Sequence, residues 1–269
     1  MVSLRPGDER RAVLLVVDYD SSHDWYAAFK PFARWIQVEQ TAWDLISLAA
    51  TSERCIVDIA ASPDPILFSS QKRARRVEPD ALLVRNVCRG VHGADFRHLL
   101  YGLNYSGKVV SVNSFESLLA FQERAVVYGE LNRLRREHGA AAFPFIETSY
   151  HPNLDENLIV DPPFAQRGGA LGSVVVKAGT TCAGYGKMKL SSPADFVDFK
   201  TTLSMGRDYF TVEKFVSATS DLRVQIVGDT VRALKRSSDT WKANMGNVVY
   251  SRVEVTAFLI YRYILNEFC

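Results

Sequence analysis

Apolar residues follow two different rhythms along this chain. Up to about residue 112 they come in short dense runs separated by stretches of helical spacing. Ala12–Asp18 (AVLLVVD) is a run of apolar and β-branched residues closed by an acid, the pattern of a buried parallel strand. The spacing predicts a helix over Trp25–Phe32 that stops near Pro31, a short strand at Ile36–Glu39, and a helical segment at Ala42–Ala50. Further strands are predicted at Cys55–Ala60, Ala81–Val87 and Val109–Asn113, with a helix at Phe96–Leu103. Strand and helix in alternation argue for a parallel sheet with helices on its faces.

Beyond that point the rhythm changes. Ser117–His138 reads as one long helix with Gly139 as its stop. Pro144, Pro152, Pro162 and Pro163 break the next stretch into short extended pieces, and Arg167–Gly172 reads as a loop. Short strands follow at Ser173–Lys177, Lys187–Leu190, Tyr209–Val216, Asp221–Val227 and Thr230–Leu234, with a turn at Gly228-Asp229. Pro193–Ser204 is a helix capped by Ser191 or Ser192. The expected organisation is a parallel α/β domain over residues 1–112 and an α+β domain, mostly antiparallel, over 113–269, with no internal repeat.

Composition narrows the function classes. The chain has 269 residues, 47% apolar and 23% charged, which excludes global disorder. Its 32 basic and 30 acidic residues leave a formal charge of +2, so neither nucleic acid nor an anionic membrane is a default partner. The run Lys72–Arg76 (KRARR) is better read as a solvated loop than as a nucleic-acid patch. The four cysteines are far apart, without C-x-x-C spacing, which favours reduced cytosolic thiols over a disulfide framework or a zinc site. No apolar run approaches the roughly 18 residues of a transmembrane helix, and MVSLRPGDERR lacks the apolar core of a signal peptide.

The segment with most chemistry is Val174–Lys189 (VVVKAGTTCAGYGKMK). A buried strand ends in Lys177; a loop with Gly179, Gly184 and Gly186 follows; the chain returns carrying Lys187 and Lys189. Glycines let backbone N–H groups approach an anion, and flanking lysines add point charges, so the pattern suits a polyphosphate. It is neither a P-loop nor a G-x-G-x-x-G turn, and on spacing alone a flexible hairpin remains an equal alternative. Glu213, in TVEKFV, is either a surface acid or part of a hinge strand offering backbone groups to an adenine edge. Asp221 is either a turn acid or a ribose partner, and Lys235–Gly246 (KRSSDTWKANMG) is either a polar hairpin or a loop that closes over phosphates.

In this order, VVVK…AGYGKMK, TVEKFV, SDLRVQIVG and KRSS…WKANMG resemble the central domain of synapsins, synaptic-vesicle phosphoproteins of ATP-grasp fold. VLLVVDYDSSHDW, IQVEQTAWDLISLAA, CIVDI, PDALLVRN and GLNYSGKVVSVNS resemble the half of that domain preceding the ATP-grasp, so the likeness runs from about Ala12 to about Ala257. The resemblance implies an α/β pre-ATP-grasp domain followed by an ATP-grasp domain whose last part is missing. It places ATP against Lys177, Gly184, Tyr185, Gly186 and Lys187, its adenine at Glu213, Lys214 and Phe215, its ribose at Asp221, and its phosphates at Arg236 and Lys242. Arg124 stands where synapsins usually have Lys, with a wider, forked cation.

The same resemblance implies a calcium or magnesium ion, whose carboxylate ligands belong to the stretch that Phe258–Cys269 (FLIYRYILNEFC) replaces. The expected function is that of a non-catalytic ATP-binding protein: cytoplasmic, at presynaptic terminals, homodimeric, peripheral on the synaptic vesicle membrane surface, regulating neurotransmitter release. The alternatives are an ATP-grasp carboxylate–amine ligase and a truncated product without function.

Overall fold

The computed structural model of the chain describes residues 10–20, 22–62, 73–89, 94–153, 172–181, 185–203, 208–242 and 244–253. The chain divides into two compact units, the first ending at Glu123 and the second beginning at Arg124. The expected residue Gly184, the loop at 167–171 and the apolar tail from Phe258 lie outside the described residues.

The first unit carries seven strands among its described residues: β1 (Ala12–Val17), β2 (Ile36–Thr41), β3 (Ile46–Ala50), β4 (Cys55–Ile59), β5 (Arg75–Val77), β6 (Ala81–Val84) and β7 (Val110–Val112). Strands β2-β1-β6-β7, in that order, make a parallel sheet, the arrangement expected from the dense apolar runs. Its helices are α1 (Trp25–Ala28), α2 (Arg97–Tyr105) and α3 (Phe115–Ala120). Leu15, Val17 and Leu82 of the sheet form one core with Leu99, Leu100 and Leu103 of α2 and Phe115 of α3.

At the carboxyl end of β1 the Asp18 side chain is buried beside Trp25 Nε1 and His23 Nδ1, each at 2.9 Å, Asn86 Nδ2 at 3.3 Å and the Asp20 N–H at 3.1 Å. Burial opposes its charge, but the hydrogen bonds, led by Trp25, outweigh it and hold the carboxyl below its usual range.

Several local expectations are corrected here. Ala42–Ala50 is not helical. A single 3-10 turn, Trp43–Leu45, leads into β3, which pairs antiparallel with β4. Short apolar runs fit both periods, and β4 supplies the backbone partners that decide for strand. Cys55–Ile59 is therefore a strand of this small antiparallel sheet, ordered β3-β4-β5, and not of the parallel one. The basic run is not a free loop. Arg75 and Arg76 lie in β5, where Arg75 Nε reaches Glu39 at 2.5 Å and Arg76 makes two 2.7 Å bonds to Asp58. The helix predicted from Trp25 is α1 followed by a separate 3-10 turn, Lys30–Phe32, with Pro31 inside it.

The long helix of the second half is broken. α3 ends at Ala120, and α4 (Arg124–His138) starts after three intervening residues. Gln122, buried, accepts from the Arg89 N–H at 3.2 Å, and Glu123 pairs with Arg89 at 2.5 Å and Arg97 at 2.9 Å. These side chains tie the link to the first unit, which helical spacing cannot register. Gly139, at φ +81°, ends α4 as expected.

The second unit adds β8 (Thr148–His151), β9 (Val174–Ala178), β10 (Lys187–Leu190), α5 (Pro193–Leu203), β11 (Phe210–Lys214), β12 (Asp221–Val227), β13 (Thr230–Ser238) and β14 (Val248–Val253). β10-β9-β11-β8 form one antiparallel sheet and β12-β13-β14 another. Ser192 accepts from the Asp195 N–H at 3.3 Å, and Asp195 accepts from the Ser191 and Ser192 N–H groups, so the predicted cap forms. The side chains of β9 alternate. Val174 and Val176 enter a core with Leu190, Phe210, Val212 and Phe199 of α5. Burying side chains such as Phe199 and Phe210 contributes about 2–3 kcal/mol each. Val175 and Lys177 point to the opposite face.

Candidate functional site

That opposite face carries a row of polar residues set by the register. Lys187 of β10 lies opposite Lys177 of β9, which lies opposite Thr211 of β11. Glu213, two residues along β11, shares the face. Lys177 Nζ stands 2.5 Å from Glu213 Oε2 and 2.9 Å from the hydroxyl of Tyr128 on α4. Lys177 and Glu213 are both largely buried.

Arg124, the first residue of α4, donates its backbone N–H to the Tyr209 hydroxyl at 3.0 Å. Its Nη2 donates to the carbonyl of Thr181 in the loop after β9. Its Nη1 is buried without a partner, as is the hydroxyl of Thr211. A buried polar atom without a partner calls for a ligand or a water.

Lys187 is pushed below the ordinary lysine value, first by burial and then by the positive charges of Lys177, Arg124 and Lys242, with Glu213 opposing. Lys187 therefore feels three other cations, with Glu213 opposing them. That surplus field is suited to a polyanion.

A cleft of about 220 Å³ opens here, and eight predicted residues line it: Lys177, Lys187, Glu213, Lys214, Phe215, Asp221, Arg236 and Lys242. Asp221 and Arg236 face each other across β12 and β13 and pair bidentately, Nε to Oδ1 at 2.8 Å and Nη2 to Oδ2 at 2.5 Å. Arg236 thus already holds an anion of its own. Phe215 and Trp241 meet edge to face with centroids 6.2 Å apart, and Lys189 Nζ sits 3.9 Å over the Phe215 ring. Val175, Ile146 and Val216 add apolar wall, so one end of the cleft suits a flat ring and the other a charged chain. Gly186 takes φ +61°, and a Cβ there would meet the Thr181 side chain at 2.3 Å. Tyr185 beside it is half exposed.

Sequence reasoning passed over Tyr128, and it saw Trp241 only as a residue between two lysines. Tyr128 stands four residues after Arg124 on one helix, hence on the same face, which is the signal that could have found it. A nucleotide fits this donor set: an unpartnered guanidinium, several ammonium groups and an aromatic wall. Among the described residues no group of three or more His, Cys, Asp or Glu could hold a metal. Of the cleft's own carboxylates, Glu213 and Asp221 are each engaged by a cation.

The solved structures similar to this chain define its class. A D-alanyl-alanine synthetase A from Vibrio cholerae is 11% identical, with TM-score 0.59, covering 95% of this chain and 81% of that chain. The ATP-grasp ligase PsnB, complexed with a minimal precursor, is 14% identical, with TM-score 0.55, covering 95% and 83%. The macrocyclase MdnC from Microcystis aeruginosa is 14% identical, with TM-score 0.52, covering 95% and 82%. At such identities the likeness is one of fold, and the fold is ATP-grasp. Within that class the sequence is specific: the family described as the synapsin pre-ATP-grasp domain matches residues 7–111, and the synapsin ATP binding domain matches residues 113–266. The chain belongs to the synapsin family. A synapsin from Drosophila melanogaster is 30% identical over 254 residues, covering 90% of this chain and 23% of that protein, so the chain spans under a quarter of its curated relative's length. No helix among the described residues is long and apolar enough to cross a membrane.

Proposed function

We propose that this chain binds ATP on the cationic face of the β10-β9-β11-β8 sheet and acts as a non-catalytic, synapsin-type nucleotide-binding protein. The observation that carries the reading is the cleft lined by Lys177, Lys187, Arg236 and Lys242 beside Phe215 and Trp241, where Lys187 is depressed first by burial and then by its cationic neighbours. Phosphates would lie along Lys187, Lys242 and the unpartnered edge of Arg124, with Lys177 turning toward them. The base would lie against the wall formed by Phe215 and Trp241, beside the backbone of Glu213 and Lys214, and the ribose would face Asp221. Gly186 and Tyr185 would cover the phosphates from the loop that contains Gly184.

We extend the proposal to a wider role, supported by family membership: a cytoplasmic homodimer, peripheral on synaptic vesicles at the presynaptic terminal, regulating neurotransmitter release. The division of the chain after residue 112 into a pre-ATP-grasp and an ATP-binding domain belongs to the same reading. A calcium or magnesium ion would enter with the phosphates rather than on a preformed carboxylate cage.

The test is a melting curve of the purified chain with and without millimolar ATP, in EDTA and again with calcium or magnesium. A ligand bound only to the native state stabilises by about 2.7 kcal/mol at a hundredfold excess over Kd. A shift lost in Lys177→Ala supports the site; no shift in any condition sinks it. Steady ATP turnover with a carboxylate and an amine would instead favour the ligase alternative.

A further inference from the structure

We propose that Tyr128 is a positioning residue for this anion site: its hydroxyl remains on Glu213 when Lys177 turns toward a bound phosphate, so the carboxylate is not left bare. The inference rests on the ATP-binding reading above.

Three groups form a closed ring of contacts. Lys177 Nζ lies 2.5 Å from Glu213 Oε2 and 2.9 Å from Tyr128 Oη, and Tyr128 Oη lies 3.5 Å from the same carboxylate oxygen. Donor and acceptor chemistry fixes the direction of each. An ammonium only donates and a carboxylate only accepts, so the phenol oxygen accepts from Lys177 and its hydrogen is free for Glu213. The Tyr128 ring is braced by Phe145, with centroids 5.7 Å apart, and Lys177 Nζ sits 5.6 Å from its centre. Of these two contacts, the one with Phe145 does not depend on Lys177.

A phosphate can recruit Lys177 only by weakening its bond to Glu213. Glu213 is largely buried, and a buried carboxylate stripped of its partner is costly. The phenol offsets that cost, because it is neutral, is already within 3.5 Å, and gains a stronger bond as the ammonium withdraws. A phenylalanine would supply the same ring and none of this. The unliganded pair would lose one acceptor of Lys177 but keep its own 2.5 Å contact, whereas the liganded state would also leave Glu213 without the phenol donor, so the larger penalty falls there.

The test is calorimetric titration of ATP into the wild-type chain and into Tyr128→Phe, in magnesium or EDTA, whichever supports wild-type binding. Tyr128→Phe is expected to weaken ATP roughly tenfold while the melting temperature without ligand falls by only a few degrees. In a Glu213→Gln background, where no carboxylate can be left bare, the same substitution is expected to change affinity less than about twofold. Tyr128→His, which keeps a ring and an N–H donor, should recover most of the loss and stands in if the phenylalanine variant melts early. Equal losses in both backgrounds, or none in the first, would overturn the role of Tyr128 while leaving ATP binding intact. A wild-type chain that binds no ATP would overturn the anion site, and this inference with it.

Discussion

Replacing Glu213 by Ala takes away the carboxylate that lies 2.5 Å from Lys177. The two side chains are 14% and 15% exposed, so the ammonium left behind can be only partly hydrated. Removing one partner of a fully buried pair costs about 3–5 kcal/mol. Here some water access and the remaining Tyr128 acceptor, 2.9 Å away, bring the expected loss to about 2 kcal/mol. That is roughly a thirtyfold fall in the ratio of folded to unfolded protein. Urea unfolding followed by far-ultraviolet circular dichroism reads it directly, as a lower midpoint at unchanged slope. Glu130→Ala is the control. Its partner Arg133 is also close, at 2.6 Å, but both side chains are more than half exposed, so the loss should stay under about 0.5 kcal/mol. If Glu213→Ala cost no more than Glu130→Ala, the pair would be a solvated surface contact and the argument from burial would fail. ATP should narrow the deficit of Glu213→Ala, because its phosphates give Lys177 a new anion.

Three more outcomes follow from named groups. Lys187 is depressed below 10.5, so its folded form sheds its proton before its unfolded form does, and this group's contribution to stability rises with pH between the two values. A bound polyanion should reverse the depression. ATP binding should then take up a proton in that alkaline window and weaken as pH climbs through it; titration in two buffers of different ionisation heat should show the uptake in wild type and not in Lys187→Met. Gly186→Ala must hold a side chain at φ +61° against Thr181, and the left-handed conformation alone costs about 1–2 kcal/mol. Calorimetry should show a lower melting temperature, and unchanged melting would mean that the turn relaxes freely. Asp18 is held below 3.8, so its stabilising effect is present above its ordinary range and is lost as pH falls through the lowered folded value. Asp18→Asn should flatten the acid limb of the stability curve, and an unchanged acid limb would contradict the hydrogen-bonded cluster at the end of β1.

The dense apolar strands were legible because burial on both faces leaves a continuous run, as in Ala12–Val17. The glycine hairpin and its lysines were legible because special backbone and repeated charge both leave local marks. What failed was anything settled by a distant partner. Ala42–Ala50 is a strand because β4 lies beside it, and the helix after Ser117 breaks because Gln122 and Glu123 are held by Arg89 and Arg97. The pairing of Lys177 with Glu213 spans 36 residues and that of Arg236 with Asp221 spans 15, so no window of the sequence displays them as pairs. Tyr128 was missed because a tyrosine on an amphipathic helix looks like packing until its hydroxyl is placed.

The alternation along β9 and β11 has a consequence for how this protein can change. Odd-numbered positions on β9 line the cleft and even-numbered ones carry the core shared with α5. A deletion of one residue inside β9 would exchange the two sets, driving Lys177 into the apolar layer and a valine onto the cleft face. A deletion or insertion in the hairpin between β9 and β10 leaves both alternations in phase. Length variation should therefore collect at that loop and be purged from the strands.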